Sequence, residues 1–163
     1  MTTRGFVEWV RPVAAALCDD RDSLMALVDS AVADFWDQPS SVDGWTNKDI
    51  LAHLAGGNDQ LVQTLLRAVT AGETPDPTSL APDTDAENAI RISERRAWTI
   101  DQLKAELQRG NDEVLGWLSQ LRDDHRELRP EGLGMTLGKF FRIVQEEHHD
   151  LIHLEQLRTS PNT

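Results

Sequence analysis

Apolar residues recur along most of the chain at helical spacing. Leu24, Leu27, Val28, Ala31 and Phe35 follow an i, i+3, i+4 rhythm, which predicts an amphipathic helix over about 20–36. Gln38-Pro39 should end it, because proline disfavours helical geometry in the residue before it. Residues 39–44 then read as a loop. The next helix start is marked by local chemistry. Thr46 is an N-cap, and Asp49 stands at N3 as a carboxylate variant of the capping box. Trp45 and Ile50 occupy the two positions of a hydrophobic staple. That helix is expected over about 47–71, closing at Gly72. Its internal pair Gly56-Gly57 costs roughly 1 kcal/mol per glycine in an exposed helix. The pair marks either a close helix contact, room for a ligand, or a local weak point.

Residues 73–85 carry Pro75, Pro77 and Pro82 and predict a long loop, and 86–97 is helical or irregular. Thr99 is an N-cap with Gln102 at N3, and Leu103, Leu107, Val114, Leu118 and Leu121 carry a helix to about 122. Thr136 caps a last helix, to about 158, with Leu137, Phe140, Phe141, Val144 and Leu151 on one face. A short additional helix over 6–17 starts or breaks at Pro12, and residues 159–163 should fray. No stretch shows sustained period-two alternation, so no strand is expected. The expected fold class is all-α: one four-helix-bundle domain over 1–163, with a long crossover connection and an extra N-terminal helix.

Charge narrows the range of functions. The 163 residues hold 28 Asp+Glu against 16 Lys+Arg, a formal net charge of -12. Nucleic-acid phosphates repel such a chain unless a local basic patch intervenes. The densest basic cluster along the sequence, Arg91, Arg95 and Arg96, is interleaved with Glu87 and Glu94, so nucleic acid is not expected as a partner. No apolar run approaches the roughly 18–20 residues of a membrane span, and the first residues carry no secretory h-region. The expected location is cytoplasmic, with no membrane partner. A lone Cys18 among apolar residues reads as a buried, inert thiol.

Histidine is the residue type whose placement suggests chemistry. His149 and His153 stand at i, i+4, so both imidazoles leave the same face of a helix one turn apart. That spacing suits two nitrogens on one metal ion. His53, on a different helix, would supply a third nitrogen and leave coordination positions open for water or substrate. Each has a plainer reading: His53 as a hydrogen-bonded core residue, the pair as surface residues. The 149/153 pair points away from the Leu137/Phe141/Val144/Leu151 stripe, so either the helix is buried on two sides or the pair is on the surface. His148 falls near that stripe, at the core edge. His125, within Asp-Asp-His-Arg-Glu, reads as a solvated loop residue. Glu146 and Glu147 are candidates for a fourth ligand or general base, or form a solvated face. No GxSxG, P-loop, GxGxxG or HExxH motif competes with this constellation.

Two segments carry a resemblance. Residues 44–55, Gly-Trp-Thr-Asn-Lys-Asp-Ile-Leu-Ala-His-Leu-Ala, resemble the first motif of the DinB/YfiT-like superfamily. Residues 149–157, His-Asp-Leu-Ile-His-Leu-Glu-Gln-Leu, resemble its second: a ligand, three residues, a His, and Gln-Leu one turn later. The resemblance spans about 20–158. It implies an up-up-down-down four-helix bundle, often a homodimer. It also implies a divalent metal, commonly zinc or nickel, held by His53, His149 and His153. In the isomerase branch the first residue of the second motif is Glu, whereas this chain has His149. Members that use mycothiol present its thiolate to an electrophile at such a metal. The maleylpyruvate isomerases carry an additional C-terminal domain not present in these residues, so that particular activity is not expected. The Trp-Thr-x-Lys-Asp segment at 45–49 also resembles self-resistance hydrolases that open cyclopropane warheads, and 99–115 does so more weakly.

The functional expectation is therefore a metal-dependent thiol S-transferase or hydrolase acting on a small electrophilic substrate, as in detoxification. Its cofactors are a divalent ion and a low-molecular-weight thiol such as mycothiol. The alternative is a non-catalytic or metal-free helical binding or self-resistance protein.

Overall fold

The fold was analysed in a computed structural model, which describes the chain apart from residues 1–4, 57–59, 77–79, 81–84, 148 and 160–163. For Gln60, Glu147, His149 and Asp150 it describes the backbone alone. The described residues form seven α-helices: α1 (Arg11–Ser30), α2 (Asn47–Ala55), α3 (Gln60–Ala71), α4 (Asp85–Arg95), α5 (Ile100–Leu118), α6 (Leu137–Glu147) and α7 (His149–Arg158). Short 3-10 helices cover Ala33–Asp37 and Asp123–Glu127. Extended pairing among the described residues is limited to one isolated bridge, Pro39 with Thr46. The all-α expectation holds.

Contacts divide the chain into two compact units. The first comprises Met1–Asp19, Asp59–Asp83 and Asn111–His148. Its core gathers Val13, Leu65, Leu66, Leu118, Leu137 and Phe141. Cys18 is half-buried against that core rather than fully enclosed. The second unit comprises Asp20–Asn58, Thr84–Gly110 and His149–Thr163. Its core gathers Leu24, Val28, Phe35, Trp36, Ile50, Leu51, Leu54, Leu103, Leu154 and Leu157.

Several element boundaries differ from the sequence expectation. The helices expected over 6–17 and 20–36 are one helix, α1, from Arg11 to Ser30. Pro12 lies in its first turn, where a missing N–H forfeits no intrahelical bond. Beyond Ser30 the backbone turns extended at Val32. The 3-10 helix then brings Phe35 and Trp36 together into the core, edge to face at 5.1 Å. The helix expected over 47–71 is described as α2 and α3, with Gly56 as the α2 C-cap and Gly57 outside the described residues. Gly56 does mark a close approach: a Cβ there would stand 3.3 Å from the Arg91 Cβ of α4. Gly72 closes α3 at a positive φ of 72°, as expected. The 86–97 stretch is helical as α4, and α5 stops at Leu118 while Leu121 still packs into the first core. Both expected caps form. Thr99 and Gln102 exchange backbone–side-chain bonds of 2.8 and 3.2 Å, and Thr136 Oγ1 accepts from the Lys139 N–H at 3.3 Å.

The last expected helix is described as α6 in the first unit and α7 in the second. Leu137, Phe140 and Phe141 bury one face of α6. In α7, His153, Leu154 and Leu157 are buried instead, while Ile152 is exposed. Each segment therefore buries its own side within its own unit, and the side bearing His153 is a buried one. A single stripe read through both segments obscured this.

Candidate metal centre

The second unit brings together His53, in the last turn of α2, and His153, midway along α7. The start of α2 is held firmly. Thr46 Oγ1 accepts from the Asp49 N–H at 3.1 Å, and Asp49 Oδ2 accepts from the Thr46 N–H at 2.9 Å, which completes the capping box. The next residue, Asn47, is fully buried. Its Nδ2 donates to the Phe35 carbonyl at 2.9 Å and its N–H to the Gln38 carbonyl at 3.0 Å. These bonds tie the start of α2 to the 3-10 helix. Lys48 Nζ donates to the Arg96 carbonyl at 3.0 Å beyond the end of α4. Two turns of helix then carry the register to His53, in the last turn of α2.

His53 is 4% exposed and His153 is 8% exposed. Their ring centroids are 4.8 Å apart with planes at 69°, an edge-to-face meeting rather than a stack. Trp45 closes one side of His53, at 5.5 Å between centroids. His153 Nδ1 stands 2.7 Å from Gln156 Oε1. An amide oxygen only accepts, so with the amide turned this way Nδ1 carries the proton. The other nitrogen, Nε2, then keeps its lone pair. The Gln156 backbone carbonyl accepts from Ser41 Oγ at 3.3 Å, which ties this part of α7 to the loop before α2.

This arrangement bears on each residue read from the sequence. His53 and His153 are brought together, and neither is a surface residue. His149 begins α7, one turn before His153, and its side chain lies outside the described residues, as does the whole of His148. Among the described residues, no group of three or more His, Cys, Asp or Glu could hold a metal ion. Glu146 is exposed on α6, and the side chain of Glu147 lies outside the described residues. The expectation for His125 is corrected. It is buried in the first unit, with Nδ1 accepting from the Arg122 N–H at 3.4 Å, so it is a satisfied core-edge histidine rather than a solvated one. Sequence reading missed Gln156 as a partner of His153, although the i, i+3 spacing was there to be read.

Among the described side chains, His53 and His153 are the two imidazoles that could serve a cation, and a third donor would have to come from outside the described side chains. Two buried imidazoles meet ring to ring, and one is oriented by a hydrogen bond from its second nitrogen, as in metal-ligating histidines generally. His53 also sits near the negative end of the α2 dipole, where positive charge is favoured.

Comparison with known proteins adds one match. The sequence profile of the mycothiol maleylpyruvate isomerase N-terminal domain family matches residues 17–153. No curated protein and no solved structure matches the chain.

Proposed function

Because the chain belongs to the mycothiol maleylpyruvate isomerase N-terminal domain family, part of the DinB-like superfamily, we propose that it is a metal-dependent enzyme joining a thiol or water to a small electrophile. The observation that carries this reading is the meeting of the buried His53 and His153 rings at 4.8 Å, with His153 Nδ1 held by Gln156. His149, one helical turn from His153, is the third ligand in this proposal. When bound, a divalent ion such as zinc or nickel supplies the charge that brings the pKa of a coordinated water or thiol toward neutrality. His53 and His153 hold it as neutral donors, so its full charge is kept. Gln156 fixes the tautomer that leaves His153 Nε2 as donor. Trp45 excludes water from one side of His53 and presents an apolar wall to the substrate body.

The thiol is mycothiol in this proposal, and the transferase branch is preferred to the hydrolase branch on the family match. A small-molecule substrate, a cytoplasmic location and a homodimer are parts of the same proposal. The test is thiol consumption with zinc- or nickel-loaded protein, mycothiol and monobromobimane as the electrophile. The reading requires accelerated conjugation by wild type and loss of acceleration in His53→Ala. Electrophile turnover that is metal-dependent but indifferent to mycothiol would move the chain to the hydrolase branch. Binding without turnover, or turnover that survives metal removal, would support the alternative of a binding or metal-free protein.

A further inference from the structure

The first unit contains a concavity with a character opposite to that of the chain. It has a volume of about 320 Å³ and is lined in part by Arg126, Lys139 and Arg142. That volume lies at the small end of the roughly 300–1,000 Å³ typical of small-molecule sites. Three cations around one groove stand out in a chain of net charge -12. Among the described lining residues Glu127 is the one acid, 3.9 Å from Arg126. Among the described residues, neither Lys139 nor Arg142 has an acidic partner within ion-pair distance. Two like charges at i, i+3 on α6 repel each other, a cost that an anion between them would relieve.

The geometry of Arg126 is built in. A Cβ at Gly138 would stand 2.7 Å from Arg126 Cγ and 3.2 Å from its carbonyl oxygen. Glycine at this position lets the Arg126 stem lie across the first turn of α6. That turn is also the positive end of the α6 dipole. The same lining includes the apolar and aromatic residues Trp9, Pro12, Val13 and Phe141, with the Trp9 and Phe141 rings 6.2 Å apart and tilted by 44°. Cations and aromatic residues on one lining match a molecule with an acidic head and an aromatic body.

We propose that this groove, which lies in a different unit from His53 and His153, is a second binding site for a small amphiphilic anion, an aromatic carboxylate, phosphate or sulfonate. The acidic head sits among Arg126, Lys139 and Arg142, and the ring system lies against Trp9 and Phe141.

The probe is 8-anilinonaphthalene-1-sulfonate, followed by calorimetry, with uncharged N-phenyl-1-naphthylamine as its counterpart. The expected result is a single saturable site for the sulfonate on wild type, weakened by salt. Lys139→Gln/Arg142→Gln should weaken it about tenfold or more, since two charge-assisted contacts are lost. The uncharged dye should bind at least about tenfold more weakly than the sulfonate. Both substituted side chains are exposed, and circular dichroism checks that the double variant is folded. His53→Ala should bind the sulfonate as wild type does. The proposal is overturned by no saturable site on wild type, by equal binding of the two dyes, or by an unaffected double variant. Loss of binding in His53→Ala alone would place the dye at the histidines and overturn it as well.

Discussion

At the residue scale, a few buried polar contacts decide where the histidines stand. Asn47 is enclosed and holds the Phe35 carbonyl, so Asn47→Leu leaves that acceptor without its donor. Chemical denaturation should show a loss of about 1–3 kcal/mol. Thr46→Ala removes half of the α2 capping box and should cost about 1 kcal/mol by the same measurement. Gln156→Leu tests a positioning role. It should lower zinc affinity about 10–100-fold by competition with a chelator, while the apo protein's circular dichroism stays unchanged. These local pairings were legible in the sequence where both partners sit three residues apart with complementary chemistry, as in Thr46/Asp49 and Thr99/Gln102. His125 was not legible, because exposed charged neighbours surround it in sequence while its own ring turns inward to accept from Arg122 N–H.

At the element scale, periodicity located the helices but not their ends. Periodicity separates a helix over 6–17 from one over about 20–36, yet α1 runs from Arg11 to Ser30 across both. Phe35 and Trp36 kept the helical rhythm although a 3-10 helix carries them. An apolar spacing reports which residues are buried, not which backbone buries them. The same limit holds for the last expected helix, where α6 buries Leu137, Phe140 and Phe141 in its unit and α7 buries His153, Leu154 and Leu157 in its own. Close packing of α2 against α4 gives a direct prediction. Gly56→Ala places a methyl 3.3 Å from Arg91 Cβ and should cost about 1–3 kcal/mol, read as a shift in the urea midpoint. Within α5, Arg109 donates to both Glu106 carboxylate oxygens, at 2.9 and 2.7 Å, and this holds the Glu106 carboxyl below the usual range. A pKa lowered in the folded state contributes stability above the unfolded value and loses it as pH falls through the folded one. Glu106→Gln should therefore cost about 0.2–0.5 kcal/mol at pH 7 and almost nothing near pH 3.

At the scale of the whole molecule, the dominant quantity is the net charge of -12. Self-repulsion of that size is screened by salt, so the thermal midpoint should rise by a few degrees between low ionic strength and about 0.3 M sodium chloride. No described helix is long and apolar enough to cross a membrane. The cationic groove is a departure from the global charge that composition could not reveal, since Arg126 and Lys139/Arg142 are separated in sequence and meet only in the fold. The candidate metal centre was more legible. The family was readable from its two motifs, and the fold brings His53 to His153, while the side chain of His149 lies outside the described residues.

The account rests on those histidines sharing one ion, and elemental mass spectrometry on untagged protein tests it most directly. Wild type, His53→Ala and His149→Ala/His153→Ala are purified in parallel and supplied with zinc or nickel. The account predicts about one metal per wild-type chain and loss of it in both variants, with circular dichroism unchanged. Less than about a tenth of an equivalent on wild type, or full occupancy retained in both variants, would contradict it.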